Sequence, residues 1–240
     1  DVIIRQCESV GVQPRLIESP DRSFGGQSKY GEQFQTGRCE ATADGRCTLA
    51  FNSGTATSET VTVALRGRHQ RINALTAITL AEVLRGHGFQ IDDEAIVRGV
   101  ETANHPGRLE LWPGSPRFLF DGAHNPAAAL ALREYLDEFV KEPIAMIFGA
   151  MREKELEEMA AALFSRADIV ILTGLDNPRA ASVDALVAAA PENFDRERIL
   201  RASSLAEAIQ LARRVTPANG LVCVTGSLYL VGAAQQVLKQ

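Results

Sequence analysis

An aspartate, a histidine and an asparagine fall within five positions of the segment Phe118-Leu119-Phe120-Asp121-Gly122-Ala123-His124-Asn125-Pro126. The segment leaves an apolar strand and enters a helix. In doubly wound sheets ligands gather beyond the carboxyl ends of the strands, so Asp121 and His124 stand where polar side chains would meet a substrate. A structural reading stands beside this one: Asp121-Gly122 makes a turn, Asn125 caps the helix and His124 is incidental. Val224-Thr225-Gly226-Ser227-Leu228-Tyr229 is a second segment of the same kind. Gly226 permits close backbone approach, and the following helix offers N–H groups suited to an anion; the alternative is a tight strand-to-helix turn. Arg108, in Pro106-Gly107-Arg108, is a planar fork for phosphate or carboxylate, or else a solvated residue beside a turn. His69-Gln70-Arg71-Ile72-Asn73 adds polar groups at a helix start.

These residues need elements to hold them. Apolar spacing and the stop at Gly11 predict a short helix over residues 1–10, followed by a brief strand at 15–18 and a long polar loop over 19–37. Asp44-Gly45 between residues 38–43 and 46–51 predicts a two-residue hairpin, which would set Cys47 opposite Thr42 and Cys39 opposite Ala50. A third strand is expected over 59–65, then a helix over 73–85 ending at Gly86-His87-Gly88, and another opened by Asp92-Asp93-Glu94. His105-Pro106-Gly107 marks a domain boundary. Beyond it, strands near 117–120, 144–148, 168–173, 198–201 and 221–225 alternate with helical stretches. That alternation calls for an α/β fold with a mostly parallel sheet covered on both faces. Asn125-Pro126 and the Ser204/Glu207 capping box mark helix starts.

Bulk properties narrow the function. The 240 residues are 45% hydrophobic and 23% charged, enough for one large domain or two smaller ones. A net charge of -5 argues against nucleic acid or an anionic membrane as partner, because both need clustered Lys and Arg. No apolar run or leader pattern suggests membrane insertion or export, and a cytoplasmic location is expected. The four cysteines lack metal-site spacing and are expected to be reduced.

In order along the chain, His69-Gln70 with Asn73-Ala74, Pro106-Gly107-Arg108-Leu109-Glu110, Asp121-Gly122-Ala123-His124-Asn125-Pro126 and Gly226-Ser227-Leu228-Tyr229-Leu230-Val231-Gly232 closely resemble the folylpolyglutamate synthase and dihydrofolate synthase family of the Mur ligase superfamily. The resemblance spans nearly the whole chain. It implies that residues 1–105 are the C-terminal part of a Mur-type central ATP-binding domain with antiparallel strands, and that 106–240 form a Rossmann-like glutamate-ligase domain. It further implies ATP contacts for Asn73, Arg108 and Asp121, a catalytic role for Asp121 and His124, and glutamate contacts for His124, Asn125 and Ser227. Asn73, Arg108 and Asp121 are then expected to converge on one nucleotide cleft.

Two departures from the family pattern stand out. The family's Lys-Asp pair after a Phe-Gly-Ala strand end here reads Lys154-Glu155, and no Gly-Lys-Ser or Gly-Lys-Thr occurs. The phosphate-wrapping loop and the family's Mg2+ ligands are therefore expected upstream of this chain, which holds no metal ligands of its own and is inactive alone. The reaction implied is ATP-dependent addition of L-glutamate to a folate, or to dihydropteroate, through an acyl phosphate, in a monomeric enzyme. The competing reading is a noncatalytic nucleotide-binding or interaction module on a Rossmann-like sheet. An NAD-dependent oxidoreductase would need the dinucleotide glycine fingerprint, which is missing.

Overall fold

The structure, a computed structural model, describes residues 2–12, 40–52 and 58–239. The strand expected at 15–18, the loop expected over 19–37 and Cys39 lie outside the described residues. The chain divides into two compact units, Asp1–Asn104 and His105–Gln240.

The first unit contains helix α1 (Val2–Ser9), an antiparallel sheet of β1 (Glu40–Ala41), β2 (Cys47–Asn52) and β3 (Ser58–Val63), and helices α2 (Arg68–Gly86) and α3 (Asp93–Thr102). Alternation along the strands turns Cys47, Leu49, Val61 and Val63 to one side, where Ala74, Leu75 and Ile78 of α2 and Ile96 of α3 cover them. The hairpin register differs from expectation by one residue. Cys47 pairs with Ala41, because Thr42 donates to the Arg46 carbonyl (2.8 Å) and Gly45 donates to the Thr42 carbonyl (3.0 Å). These bonds close a three-residue loop with Gly45 at φ 79, the turn-plus-bulge alternative to the two-residue form. Helix α2 begins five residues before the expected Asn73. No side chain caps it; instead Gly67, at φ 95, donates to the Gly45 carbonyl (2.8 Å) and fixes the start against the hairpin tip. Asp92 does cap α3, accepting from the Ala95 N–H.

The second unit is built from β4 (Glu110–Trp112), β5 (Arg117–Asp121), α4 (Pro126–Phe139), β6 (Ile144–Phe148), α5 (Leu156–Leu163), β7 (Ile169–Thr173), α6 (Val183–Ala188), β8 (Ile199–Ala202), α7 (Leu205–Val215), β9 (Leu221–Thr225) and α8 (Leu228–Leu238). The sheet order is β4-β5-β9-β6-β7-β8, parallel except for β4. This edge strand is absent from the sequence expectation, because three half-buried residues are too few to show a period. Strands β6 and β9 are buried at every position, which is why they read as unbroken apolar runs.

One face of the sheet, with Leu119, Met146, Phe148 and Leu172, packs against buried residues of α4, α5 and α6. The other, with Phe118, Phe120, Ile147 and Val224, packs against α7 and α8. The chain steps outward from β5 through β8 and then returns to insert β9 between β5 and β6. Helices after the neighbouring strands β5 and β9 thus leave toward opposite faces. A ligand crevice forms at such a parting.

Candidate functional site

Asp121 ends β5, opposite Thr225 at the end of β9, and Thr225 in turn pairs with Phe148 at the end of β6. Three loops therefore leave the sheet side by side, carrying 122–125, 149–155 and 226–227. Their close approach depends on glycine. At Gly226, φ is 108 and an added Cβ would lie 2.7 Å from the Gly149 carbonyl oxygen. At Gly122 it would meet Leu228, whose Cδ2 would be 2.2 Å away and is also within 3.5 Å of the corresponding point on Gly107. Leu228, at the first turn of α8, thereby closes over both the 107 and 122 loops.

The Asp121 carboxylate ties two loops to one strand end. Its Oδ2 accepts from the Leu109 N–H (3.0 Å) and its Oδ1 from the Ala123 N–H (2.9 Å). The Gly122 N–H donates to the Gly107 carbonyl (2.7 Å), so the Pro106-Gly107-Arg108 turn is laced to the 122 loop on both sides of Arg108. Arg108 is half-buried within this lacing. His124 is half-buried too, and its Nδ1 lies 2.9 Å from the Gly122 carbonyl. A carbonyl only accepts, so Nδ1 carries the proton and Nε2 is left as the variable nitrogen.

Asn125 Oδ1 accepts from Ala128 N–H (2.8 Å) and Ser227 Oγ accepts from Tyr229 N–H (3.1 Å). Both are N-caps, of α4 and α8 respectively, so the structural reading of these two holds alongside any ligand role. The second unit thus brings together Arg108, Asp121, His124, Asn125 and Ser227. Asn73 belongs to the first unit, exposed on α2, with Nδ2 donating to Gln70 Oε1 (3.0 Å) beside an apolar cavity of about 340 Å³. Glu155, standing where the family pattern has Asp, is exposed at the start of α5 and makes no side-chain cap bond. The segment before it is fixed by backbone: Ala181 donates to the Ala150 carbonyl and Arg152 to the Arg179 carbonyl, both at 2.9 Å.

Burial pushes the Asp121 carboxyl up to about 6, against hydrogen bonds from Leu109 and Ala123 and the charges of Arg108 and His124. A carboxyl whose pKa is raised by folding stabilises the fold when protonated. That contribution is fully present below the unfolded value of 3.8 and is lost as pH rises through about 6. Ionised Asp121 thus costs on the order of 3 kcal/mol of stability. Urea unfolding of wild type and Asp121→Asn should show wild type losing stability relative to the variant as pH is raised from 4 to 7. A difference that stays flat across this window would contradict the assignment. Burial also pushes the Cys223 thiol up, with the Asp121 charge adding to it, so this neighbour is no nucleophile at neutral pH.

Two residues given no role by the sequence reading, Glu110 and Leu228, both lie inside the motifs that carry the resemblance. Glu110 accepts from Gly107 N–H (2.8 Å), Trp112 Nε1 (2.7 Å) and Gln235 Nε2 (2.8 Å). Leu228 is an exposed residue whose Cδ2 lies over two loop glycines, Gly107 and Gly122.

Residues 107–228 match the family described as Mur ligase, glutamate ligase domain. The chain is 34% identical over 188 residues to a dihydrofolate synthase/folylpolyglutamate synthase of Mycobacterium tuberculosis, covering 71% of this chain and 38% of that protein. It superposes on the Mycobacterium tuberculosis folylpolyglutamate synthase complexed with ADP with a TM-score of 0.75 at 31% identity, covering 86% of this chain and 48% of the other. For Escherichia coli FolC in complex with DHPP and ADP the TM-score is 0.68 at 27% identity, with 80% and 44% covered. The chain therefore spans less than half the length of these relatives.

Proposed function

Since the chain belongs to the Mur ligase family, in its folylpolyglutamate synthase and dihydrofolate synthase branch, we propose that it is the nucleotide-closing and glutamate-positioning part of an ATP-dependent ligase. The reaction is addition of L-glutamate to the γ-carboxylate of a folate, and to the carboxylate of dihydropteroate where an enzyme has both activities. The acceptor carboxylate attacks the terminal phosphorus of ATP and ADP leaves. The glutamate amine, having given up a proton, then attacks the acyl carbon of the acyl phosphate and phosphate leaves as the amide forms. Charge and geometry are what a protein must manage in such a transfer.

In this reading Arg108 neutralises phosphate charge, as a guanidinium fork does best when its backbone is fixed. Asp121 orients the nucleotide and holds the Arg108 and His124 loops in register. Asn73 contacts the nucleotide through its side-chain amide, of which Oδ1 and one Nδ2 hydrogen remain beside the bond to Gln70. The Nε2 of His124 faces the incoming glutamate, with the Asn125 amide group and the Ser227 hydroxyl as further contacts.

Among the described residues no three His, Cys, Asp or Glu side chains cluster to hold a metal ion. The Mg2+ that accompanies ATP is assigned to residues outside this chain, and no step here passes through it. Among the described residues no helix is long and apolar enough to cross a membrane. We separately take the enzyme to be a cytoplasmic monomer.

The observation that carries this reading is the double grip of Asp121 on Leu109 and Ala123, which gathers a cationic loop and a histidine loop at one parallel-strand end. The mycobacterial and Escherichia coli structures are complexes with ADP, which supports nucleotide use by an enzyme that contains such a chain. The test is to assay the gene product containing this chain for glutamate-dependent phosphate release and glutamylated product, with dihydropteroate and tetrahydrofolate in parallel. Silence with both acceptors would remove the proposal. The 240-residue chain alone, which carries no Gly-Lys-Ser or Gly-Lys-Thr, is expected to show no turnover, and brisk phosphate release from it would overturn that division of labour.

A further inference from the structure

Arg108 sits between two residues in the left-handed region, Gly107 at φ 71 and Leu109 at φ 45. Glycine adopts that conformation freely. A leucine there costs about 1 kcal/mol or more, and holds only where surrounding bonds over-determine it. Leu109 is held on one side by Asp121, which takes its N–H, and by burial of its side chain. On the other side the Gly107 N–H needs an acceptor, and Glu110 Oε2 supplies it at 2.8 Å.

Glu110 is itself fixed from two further directions. Trp112 Nε1 donates to Oε1 at 2.7 Å, and Gln235 Nε2, from the last half of α8, donates to Oε2 at 2.8 Å. Lys239 lies 5.5 Å from the centre of the Trp112 ring, at the end of the same helix. The first turn of α8 meanwhile presses Leu228 over Gly107 and Gly122. Both ends of α8 thus bear on the three residues that carry Arg108. Burial would raise the Glu110 carboxyl, but the bonds from Trp112, Gly107 and Gln235 and the Lys239 charge hold it below the usual range, so it remains an acceptor at neutral pH.

We infer that Glu110 is a positioning residue for Arg108: with Asp121 it forms a pair of carboxylates that clamp the backbone N–H groups on either side of the arginine, so that the backbone carrying the guanidinium is ordered before phosphate arrives. The inference rests on the reading of Arg108 as the phosphate contact, and the clamp itself stands apart from that reading. Pre-fixing a binding group in this way improves affinity by removing the ordering cost at the moment of binding. It also makes Trp112, the only tryptophan in the chain, a reporter of the loop.

Two measurements separate the clamp from its functional use. In the 240-residue chain, amide exchange at Gly107 and Leu109 is followed with the Trp112 indole N–H resonance, comparing wild type, Glu110→Gln and Glu110→Ala. Loss of the carboxylate should speed Gly107 exchange at least about tenfold and shift the indole signal, with Glu110→Gln intermediate. Unchanged Gly107 exchange in a folded Glu110→Ala chain would overturn the clamp.

In the gene product, Glu110→Ala should raise KM for ATP about tenfold with a smaller change in kcat, and should add nothing further to Arg108→Ala. A residue that merely supports the fold would act equally on both backgrounds, and that additive result would overturn the positioning role. If Arg108→Ala alone leaves the ATP dependence unchanged, the functional reading of Arg108 fails, and the exchange result still decides whether Glu110 holds the loop.

Discussion

Gly226→Ala is expected to destabilise the His105–Gln240 unit by about 2–4 kcal/mol, because one methyl group meets two separate obstacles. The backbone at Gly226 has φ 108, a region L side chains rarely adopt, and the new Cβ would lie 2.7 Å from the Gly149 carbonyl oxygen and 3.0 Å from the Phe148 ring. The carbonyl belongs to the turn after β6, whose Gly149 N–H is bonded back to the Thr225 carbonyl, so the obstacle is rigid. By contrast Gly122→Ala collides with the tip of Leu228, a half-exposed side chain that can swing away. Urea unfolding of both variants orders them: Gly226→Ala should lose several times more stability. Equal and small losses would show that β6 and β9 do not bring their exits this close together.

Arg108→Ala is expected to reduce kcat/KM for ATP in the gene product by roughly 30- to 150-fold, the equivalent of about 2–3 kcal/mol for one charge-assisted contact made from a fixed backbone. Stability should hardly change, since the side chain is half-buried and the three bonds lacing its loop come from the backbone of Gly107, Leu109 and Gly122. Arg108→Lys should recover only part of the loss, because an ammonium does not offer the same paired donors. Measured kcat/KM within threefold of wild type for Arg108→Ala would remove the arginine from the proposed phosphate contact.

The two effects differ in kind. Gly226 governs whether the strand exits converge, and Arg108 governs what they do with an anion once they have. Between them stands Asp121, which accepts from the Leu109 and Ala123 N–H groups and whose ionised form, the stronger acceptor, is the state that burial disfavours. A stability cost is thus held at the place where the loops must be ordered, in keeping with the tendency of strained or desolvated groups to cluster at functional sites.

Local signals were well matched by the structure. Strands β6 and β9 occupy the expected Ile144–Phe148 and Leu221–Thr225, because strands buried on both faces leave continuous apolar runs. Asn125 caps α4 with Pro126 behind it, and Ser204 accepts from Glu207 N–H as the capping box requires. The box closes onto Ser203 rather than Ser204: the Glu207 carboxylate takes the Ser203 N–H at 2.7 Å. The hairpin was legible as a hairpin but not in its register, since Asp-Gly serves both two- and three-residue loops and the choice falls to Thr42 and Arg46.

By itself, then, the sequence determined the layered α/β second unit, the starts of α4 and α7 and the segments bearing the polar groups. Each of these is encoded by residues a few positions apart, through period, cap or turn. Only the tertiary structure decided that Asp121 takes a proton donor from Leu109, twelve positions away, that Gln235 reaches Glu110 across 125 positions, and that Leu228 covers two glycines from different loops. Those partnerships exist because β9 inserts beside β5 late in the chain, and no local pattern can specify which distant strand will become a neighbour.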